Sequence, residues 1–169
     1  MTDARRRFAR YRVRLGFAAA AISLWLARPT ATSLAAGAVV AIIGESIRIW
    51  AAGHLEKGRE VTASGPYRLT PHPLYVGSAI IGAGFAIASV SLAVSLLVAL
   101  YLGVTITSAV RSEERHLTEK FGRAYPEYRD GRAPPAPRRF SLDRAISNRE
   151  YRAVAGLLAV LALLGWKAL

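Results

Sequence analysis

Long uncharged apolar stretches alternate along this chain with short, strongly basic ones. The first apolar stretch, residues 15–27, stops at Arg28 and Pro29. It is short against the roughly 20 residues that cross a bilayer, but the stems of Arg12 and Arg14 can snorkel and lengthen it to a span over 13–28. Pro29 and Thr30 predict a tight turn. Residues 31–55 follow, apolar except for Glu45, Arg48 and His54, and predict a second span over 31–54 with His54 at the membrane interface. Residues 73–110 contain no charge at all. As one helix they would reach about 55 Å, far beyond a hydrocarbon core about 30 Å thick. The stretch therefore predicts a hairpin of two spans, 73–89 and 92–110, turning near Ser89–Ser91. Gly77, Gly82 and Gly84 suit close helix packing on its first arm. Residues 111–121 read as a charged helix, 123–139 as an ordered loop on the membrane surface, and 151–169 as a last span. No internal repeat interrupts this pattern.

Charge turns the pattern into a topology. Hydrophobic residues make up 53% of the 169, yet the formal net charge is +12. In a soluble chain that charge would suggest nucleic acid; segregated from long apolar runs, it points to a membrane and to no nucleic-acid partner. Of 23 Lys and Arg, six lie in residues 1–14, four in 48–68 and eleven in 111–152, which leaves Arg28 and Lys167. Five alternating spans put those two on one side and the rest on the other. The positive-inside rule then places the N-terminus and the segments 56–72 and 111–139 in the cytoplasm. The fold expected is all-α: a polytopic membrane bundle of about five transmembrane helices forming a single domain over 1–169. The first stretch reaches Arg28 and Pro29 without a small-x-small cleavage site and reads as a retained span. Absent cysteine excludes disulfides, zinc-thiolate sites and thiol nucleophiles. The compact Ala- and Arg-rich composition suggests the cytoplasmic membrane of a prokaryote.

Candidate chemistry collects where the two polar segments meet the hairpin. In Pro71-His72-Pro73 the prolines cannot donate backbone hydrogen bonds, and they push their neighbours out of helical geometry. Pro73 suits the first turn of a helix. His72 then stands in extended backbone beside free helix-start N–H groups, which attract anions. The same motif also serves as a plain helix start. Glu113 and Glu114, adjacent on a helix, cannot share a face, so one points inward while the other meets solvent or an arginine. Glu45 and Arg48 share a face three residues apart, as an internal ion pair or as a site, since charges within a span are functional candidates. No metal-binding constellation is evident.

Two ordered blocks then carry a resemblance. Gly65, Tyr67, His72, Pro73 and Tyr75 form the first; Glu113, Glu114, Leu117, Phe121, Gly122, Tyr125 and Tyr128 form the second, across an uncharged hairpin. Over about 48–135 the chain resembles the isoprenylcysteine carboxyl methyltransferase family and the related phospholipid methyltransferases. That resemblance implies an integral membrane enzyme using S-adenosylmethionine, with S-adenosylhomocysteine as product, in a pocket on the cytoplasmic face. It implies that Arg59, Glu60, Val61, Thr62, Tyr67, His72, Pro73, Leu74, Tyr75 and Glu113 line that pocket. The acceptor implied is lipid-like and comes from the bilayer, foremost the carboxylate of an isoprenylated or isoprenoid compound methylated on oxygen, with Arg48, Arg111, Glu45 and Glu114 as candidates to orient it. No residue is singled out as catalytic. Two positions depart from the pattern. Pro71 replaces an arginine before the histidine, and Ala109 stands where isoprenylcysteine enzymes carry a substrate-contacting arginine. Three other readings stay open at this point: a phospholipid amine N-methyltransferase, a nicotinamide-dependent membrane reductase, and a non-enzymatic protein whose basic face binds anionic lipid head groups.

Overall fold

The computed structural model describes residues 16–132 and 137–169, all helix, turn or loop without a strand among them. The arginines of 1–14, the start of the expected first span and residues 133–136 of the surface loop lie outside the described residues. Helix α1 covers Gly16–Leu26. Helix α2, Ala31–His54, begins at Thr30, whose side chain accepts from Ser33 N while Ser33 returns the bond to the Thr30 backbone. After a loop containing a 3₁₀ turn at Gly65–Arg68, α3 runs from Pro73 to Ser89. Only Val90 and Ser91 separate it from α4, Leu92–Phe121, with Val90 in left-handed backbone (φ 46°, ψ 40°) reversing the chain. Two short helices, α5 (Ala124–Arg129) and α6 (Leu142–Ser147), precede α7, Tyr151–Lys167.

Three of these elements correct the sequence expectation. The fourth apolar stretch and the charged helix after it are one unbroken α4 of 30 residues, about 45 Å long. Its last three turns extend past the apolar zone because nothing in 108–114 breaks a helix. The surface segment 123–139 holds a helix, α5, and α6 was not foreseen; both are only six residues long, too short to show periodicity. Among the described residues two helices, α2 and α4, are long and apolar enough to cross a membrane, while α1 and α3 are apolar and shorter.

Glycine decides how α2 and α3 pack. A Cβ added to Gly44 would stand 2.7 Å from Gly77 O, and one added to Gly77 would stand 2.6 Å from Gly44 O. Gly84 faces Gly37 O and Ala41 N in the same reciprocal way. Spaced by seven residues on each helix, these pairs bring two backbones into contact along one seam. Gly82 departs from that seam: it faces Leu102 and Val98 of α4. Where α1 ends, Lys167 Nζ of α7 donates to Leu24 O (2.8 Å) and Trp25 O (2.6 Å), satisfying carbonyls that a helix end leaves open. Arg28 N donates to Ser89 O at 2.7 Å, so the ends of α1, α3 and α7 share one end of the bundle. Trp25 and Trp166 are each 78% exposed there. Leu92, Leu96, Leu100 and Val104 form an exposed apolar stripe along α4. Such a surface belongs against lipid, with tryptophans at its boundary.

Candidate functional site

At the opposite end, α2 stops at His54, α3 starts at Pro73 and the charged turns of α4 stand beside them. Pro73 occupies the first turn of α3 and His72 its N-cap, with no side-chain capping bond. The His72 backbone (φ −129°, ψ 54°) falls short of the extended conformation expected, yet Pro73 does keep it out of the helix. A cavity of about 640 Å³ opens between the 55–62 loop, the start of α3, the inner face of α4 and α5. Glu60, Val61, Thr62, Tyr67, His72, Pro73, Leu74, Tyr75 and Glu113 all line it. Arg59 does not: its side chain is 84% exposed and lies 3.7 Å from Glu56.

Both glutamates of α4 reach the His72 ring. Glu114 Oε1 is 3.4 Å from Nε2 and Glu113 Oε2 is 4.0 Å from Nδ1. Their division of labour is one of surroundings: Glu113 lines the cavity, and Glu114 lines the outer groove of α4 with Arg111. Arg111 is thus turned away from the cavity, about 200° around the helix from Ala109, which lines it. A side chain larger than Ala109 would fill that wall.

Tyrosines close the far side. Tyr128 Oη donates to Tyr67 O at 2.6 Å, tying α5 to the 3₁₀ turn. The Tyr125 hydroxyl is buried with no hydrogen-bond partner among the described residues. Burial, then the carboxylates of Glu114 and Glu113, push it up to about 12. Burial likewise raises Tyr67 and Tyr128 above the ordinary phenol. All three stay protonated at neutral pH, and Tyr125 offers the cavity an unused donor. Sequence reasoning had Tyr125 and Tyr128 only as motif matches; their spacing of three on a short helix was the available signal for a shared face.

The loop wall of the cavity is held from outside by the segment after α5. Arg138 Nη2 lies 2.6 Å from Glu60 Oε1, and Arg144 Nε 2.8 Å from Glu56 Oε1. Asn148 Nδ2 donates to Ala52 O and Leu55 O, both at 2.9 Å. Phe140 packs on Gly53. His54 is accordingly buried, not interfacial: its Nδ1 is 3.1 Å from Ser64 Oγ and its ring lies against Gly65, whose φ of +57° and lack of Cβ permit that approach. Arg144→Ala releases the ion pair to Glu56 and the bonds to Gly53 O and Arg139 O. Amide exchange across 53–62 then rises about tenfold or more, as expected for a charge-assisted contact of about 1.5–3 kcal/mol, while exchange in α3 stays unchanged. Equal exchange in both proteins would show the strap to be idle.

Glu45 and Arg48 lie deeper, beside a second, apolar cavity of about 450 Å³ between α1, α2, α3, α4 and α7. Arg48 Nε is 3.6 Å from Glu45, but its Nη2 is 2.7 Å from Glu150, a partner that the sequence did not reveal. Its Nη1 donates to Leu74 O and Ser78 Oγ. Leu74 lines the polar cavity and Ser78 the apolar one. They sit four residues apart, so one turn of α3 separates the two. Among the described residues no group of three or more His, Asp or Glu side chains is placed to hold a metal ion.

The sequence profile of the phospholipid methyltransferase family matches residues 11–124. The chain is 33% identical over 103 residues to the cobalt-zinc-cadmium resistance protein CzcN of Cupriavidus metallidurans, covering 59% of this chain and 44% of that one. It is 33% identical over 129 residues to the nickel-cobalt-cadmium resistance protein NccN of Alcaligenes xylosoxydans, covering 73% of this chain and 56% of that one. The chain thus spans about half the length of the curated relatives it matches. No solved structure matches. The extent of the profile match shows that the chain belongs to the phospholipid methyltransferase family.

Proposed function

We propose that this member of the phospholipid methyltransferase family is an S-adenosylmethionine-dependent enzyme whose cofactor binds in the polar cavity and whose lipid-like acceptor enters the apolar one. The observation that carries the reading is a pair of cavities separated by one turn of α3, one lined by polar groups and facing the basic end, one apolar and inside the bundle. A water-soluble donor and a membrane-soluble acceptor need that arrangement. Five crossings suit the same reading: α3 and α7 have 17 residues each, about 26 Å, close to a hydrocarbon core of about 30 Å. Arg28 and Lys167 then mark the outer side and the many other basic residues the cytoplasmic side.

The residues present fit the cofactor. Its carboxylate suits the uncapped start of α3 and the buried Tyr125 donor. Its ammonium and ribose hydroxyls suit Glu113, which His72 helps to orient. Tyr67, Tyr75, Tyr125 and Tyr128 line the cavity with aromatic faces that attract a cation. Bound there, S-adenosylmethionine supplies an electrophilic methyl group. The protein's own contribution is positioning, which lowers the barrier by holding both reactants at one orientation. In its finer form the acceptor is an isoprenoid carboxylate oriented by Arg48, which lines the apolar cavity while Arg111 does not, or the amine of a phospholipid.

Calorimetric titration of S-adenosylhomocysteine into detergent-purified protein tests the reading. Saturable binding is expected, weakened about tenfold or more in both His72→Ala and Glu113→Gln, since each removes a contact to a charged group worth about 1.5–3 kcal/mol. Absence of binding to folded wild-type protein would overturn it and favour a nicotinamide-dependent or non-enzymatic membrane protein.

A further inference from the structure

The strap that grips the wall of the polar cavity has a second face. Arg144 of α6 reaches Glu56 on that wall. Leu142 and Ile146 each stand about 160° around the helix from Arg144. Four residues apart, they share one face, and they are 61% and 52% exposed. Tyr151, at the start of α7, and Phe140, just before α6, are exposed as well, and so is Trp50. Trp50 adjoins this face through stacked contacts: its ring meets His54, and His54 meets Phe140. Apolar side chains gathered in this way mark a contact surface. Arg139, Arg149 and Arg152 are exposed beside them. The nearby carboxylates are engaged elsewhere: Glu56 with Arg144, Glu60 with Arg138, Glu150 with Arg48. Asp143, also exposed, offsets one of the three. The surface is therefore apolar at its centre and basic around it.

We infer that α6 docks on an anionic phospholipid surface, with Leu142 and Ile146 sunk among the head groups and Arg139, Arg149 and Arg152 on their phosphates, and that docking clamps the wall of the polar cavity. Amphipathic helices bind bilayers through buried apolar area together with attraction to anionic lipid. Depth favours a bilayer over a protein partner. Only Asn148, Arg149 and Glu150 separate α6 from α7, so Ser147 and Tyr151 lie within about 14 Å of each other. Helix α7 is apolar, with Leu158 and Leu163 exposed along it, and α6 stands where that helix leaves the lipid. Tyr151 and Trp50 are the aromatic types enriched at that level. Six residues make a helix too short to persist unsupported, so its order depends on what each face touches. A surface that binds only the docked strap shifts the population toward it. Arg138, Arg144 and Asn148 transmit that shift to Glu60, Glu56 and the end of α2. The coupling needs only the strap and the wall, whatever the cavity binds.

The full chain in lipid nanodiscs tests both halves, with discs of phosphatidylcholine set against discs of phosphatidylcholine and phosphatidylglycerol in equal parts. The chain has no cysteine, so Ile146→Cys takes a single bimane label. Lipid carrying a nitroxide just below the head group is expected to quench that label, and to quench it more in the anionic discs. No quenching would overturn docking and leave the face to a protein partner; equal quenching in the two discs would overturn the anionic preference. Amide exchange across 53–62 of the unlabelled wild type is expected to be about fivefold or more slower in the anionic discs, the factor that one basic residue at an anionic surface supplies. Exchange in α3 stays the same in both. Leu142→Ser with Ile146→Ser, both at exposed positions, is expected to shrink the difference across 53–62 to about twofold or less, by removing the apolar part of the attachment. Arg144→Ala, made in the labelled protein, is expected to keep the quenching and lose the difference. Equal exchange of wild type in the two discs would overturn the clamp. A difference that persists in the double serine variant would overturn it too, by placing the lipid effect elsewhere on the basic end.

Discussion

Arg48→Met is expected to destabilise the protein by about 3–5 kcal/mol, the cost of leaving a buried charge without its partner. The substitution keeps the length of the side chain and removes the guanidinium. Glu150, 8% exposed at its side chain, loses a contact of 2.7 Å, and Glu45, at 6%, loses the cation that stands 3.6 Å away. The bonds to Leu74 O and Ser78 Oγ go with them, so α2, α3 and the start of α7 lose their common node. The measurement is thermal or chaotrope unfolding in detergent, set beside the triple variant Arg48→Met, Glu45→Gln, Glu150→Gln. The triple variant removes the charges together and should recover most of the loss, because unpaired charge, more than lost contact, is what the single variant suffers. Equal destabilisation in both proteins would mean that the cluster acts through packing alone.

Gly44→Val is expected to cost about 3 kcal/mol or more, at or beyond the upper end of ordinary overpacking. Its Cβ would stand 2.7 Å from Gly77 O and 2.8 Å from Ile81 N. Both are backbone atoms of a helix, so neither can swing aside as a side chain would. Relief requires α3 to move away, which opens the Gly37–Gly84 contact on the same seam and displaces Pro73 and His72 at the helix start. The variant should therefore lose S-adenosylhomocysteine binding along with stability. Gly103→Ala on α4 is the control. No described residue lies within 4 Å of a Cβ there, and exchanging glycine for alanine inside a helix favours the helix by up to about 1 kcal/mol. Comparable losses at Gly44 and Gly103 would show that helix flexibility, not close approach, explains the glycines.

Much of the architecture is legible residue by residue. The capping pair Thr30 and Ser33 starts α2 where the apolar run begins, Pro73 starts α3, and the chain reverses at Val90 within the expected turn. These are local decisions, made by backbone sterics and by polar groups within one helical turn. The same locality brought His72 to the end of an apolar helix and both glutamates to a charged one. It could not tell that α4 would run unbroken from Leu92 to Phe121, because continuity depends on the absence of any breaker and leaves no positive mark.

Where apolar helices begin and end, and which end of the bundle collects positive charge, follow from local residue order. The pairings arise on packing. Gly77 and Gly84 answer glycines on α2 while Gly82 answers α4. Arg138 and Arg144 reach back to the cavity wall across more than 70 residues. Arg48 turns to Glu150 more closely than to its helix neighbour Glu45. A guanidinium or a bare Cα carries no record of its distant partner. Periodicity specifies which face of a helix is buried, but the packing of several such faces against one another specifies what each buried group meets.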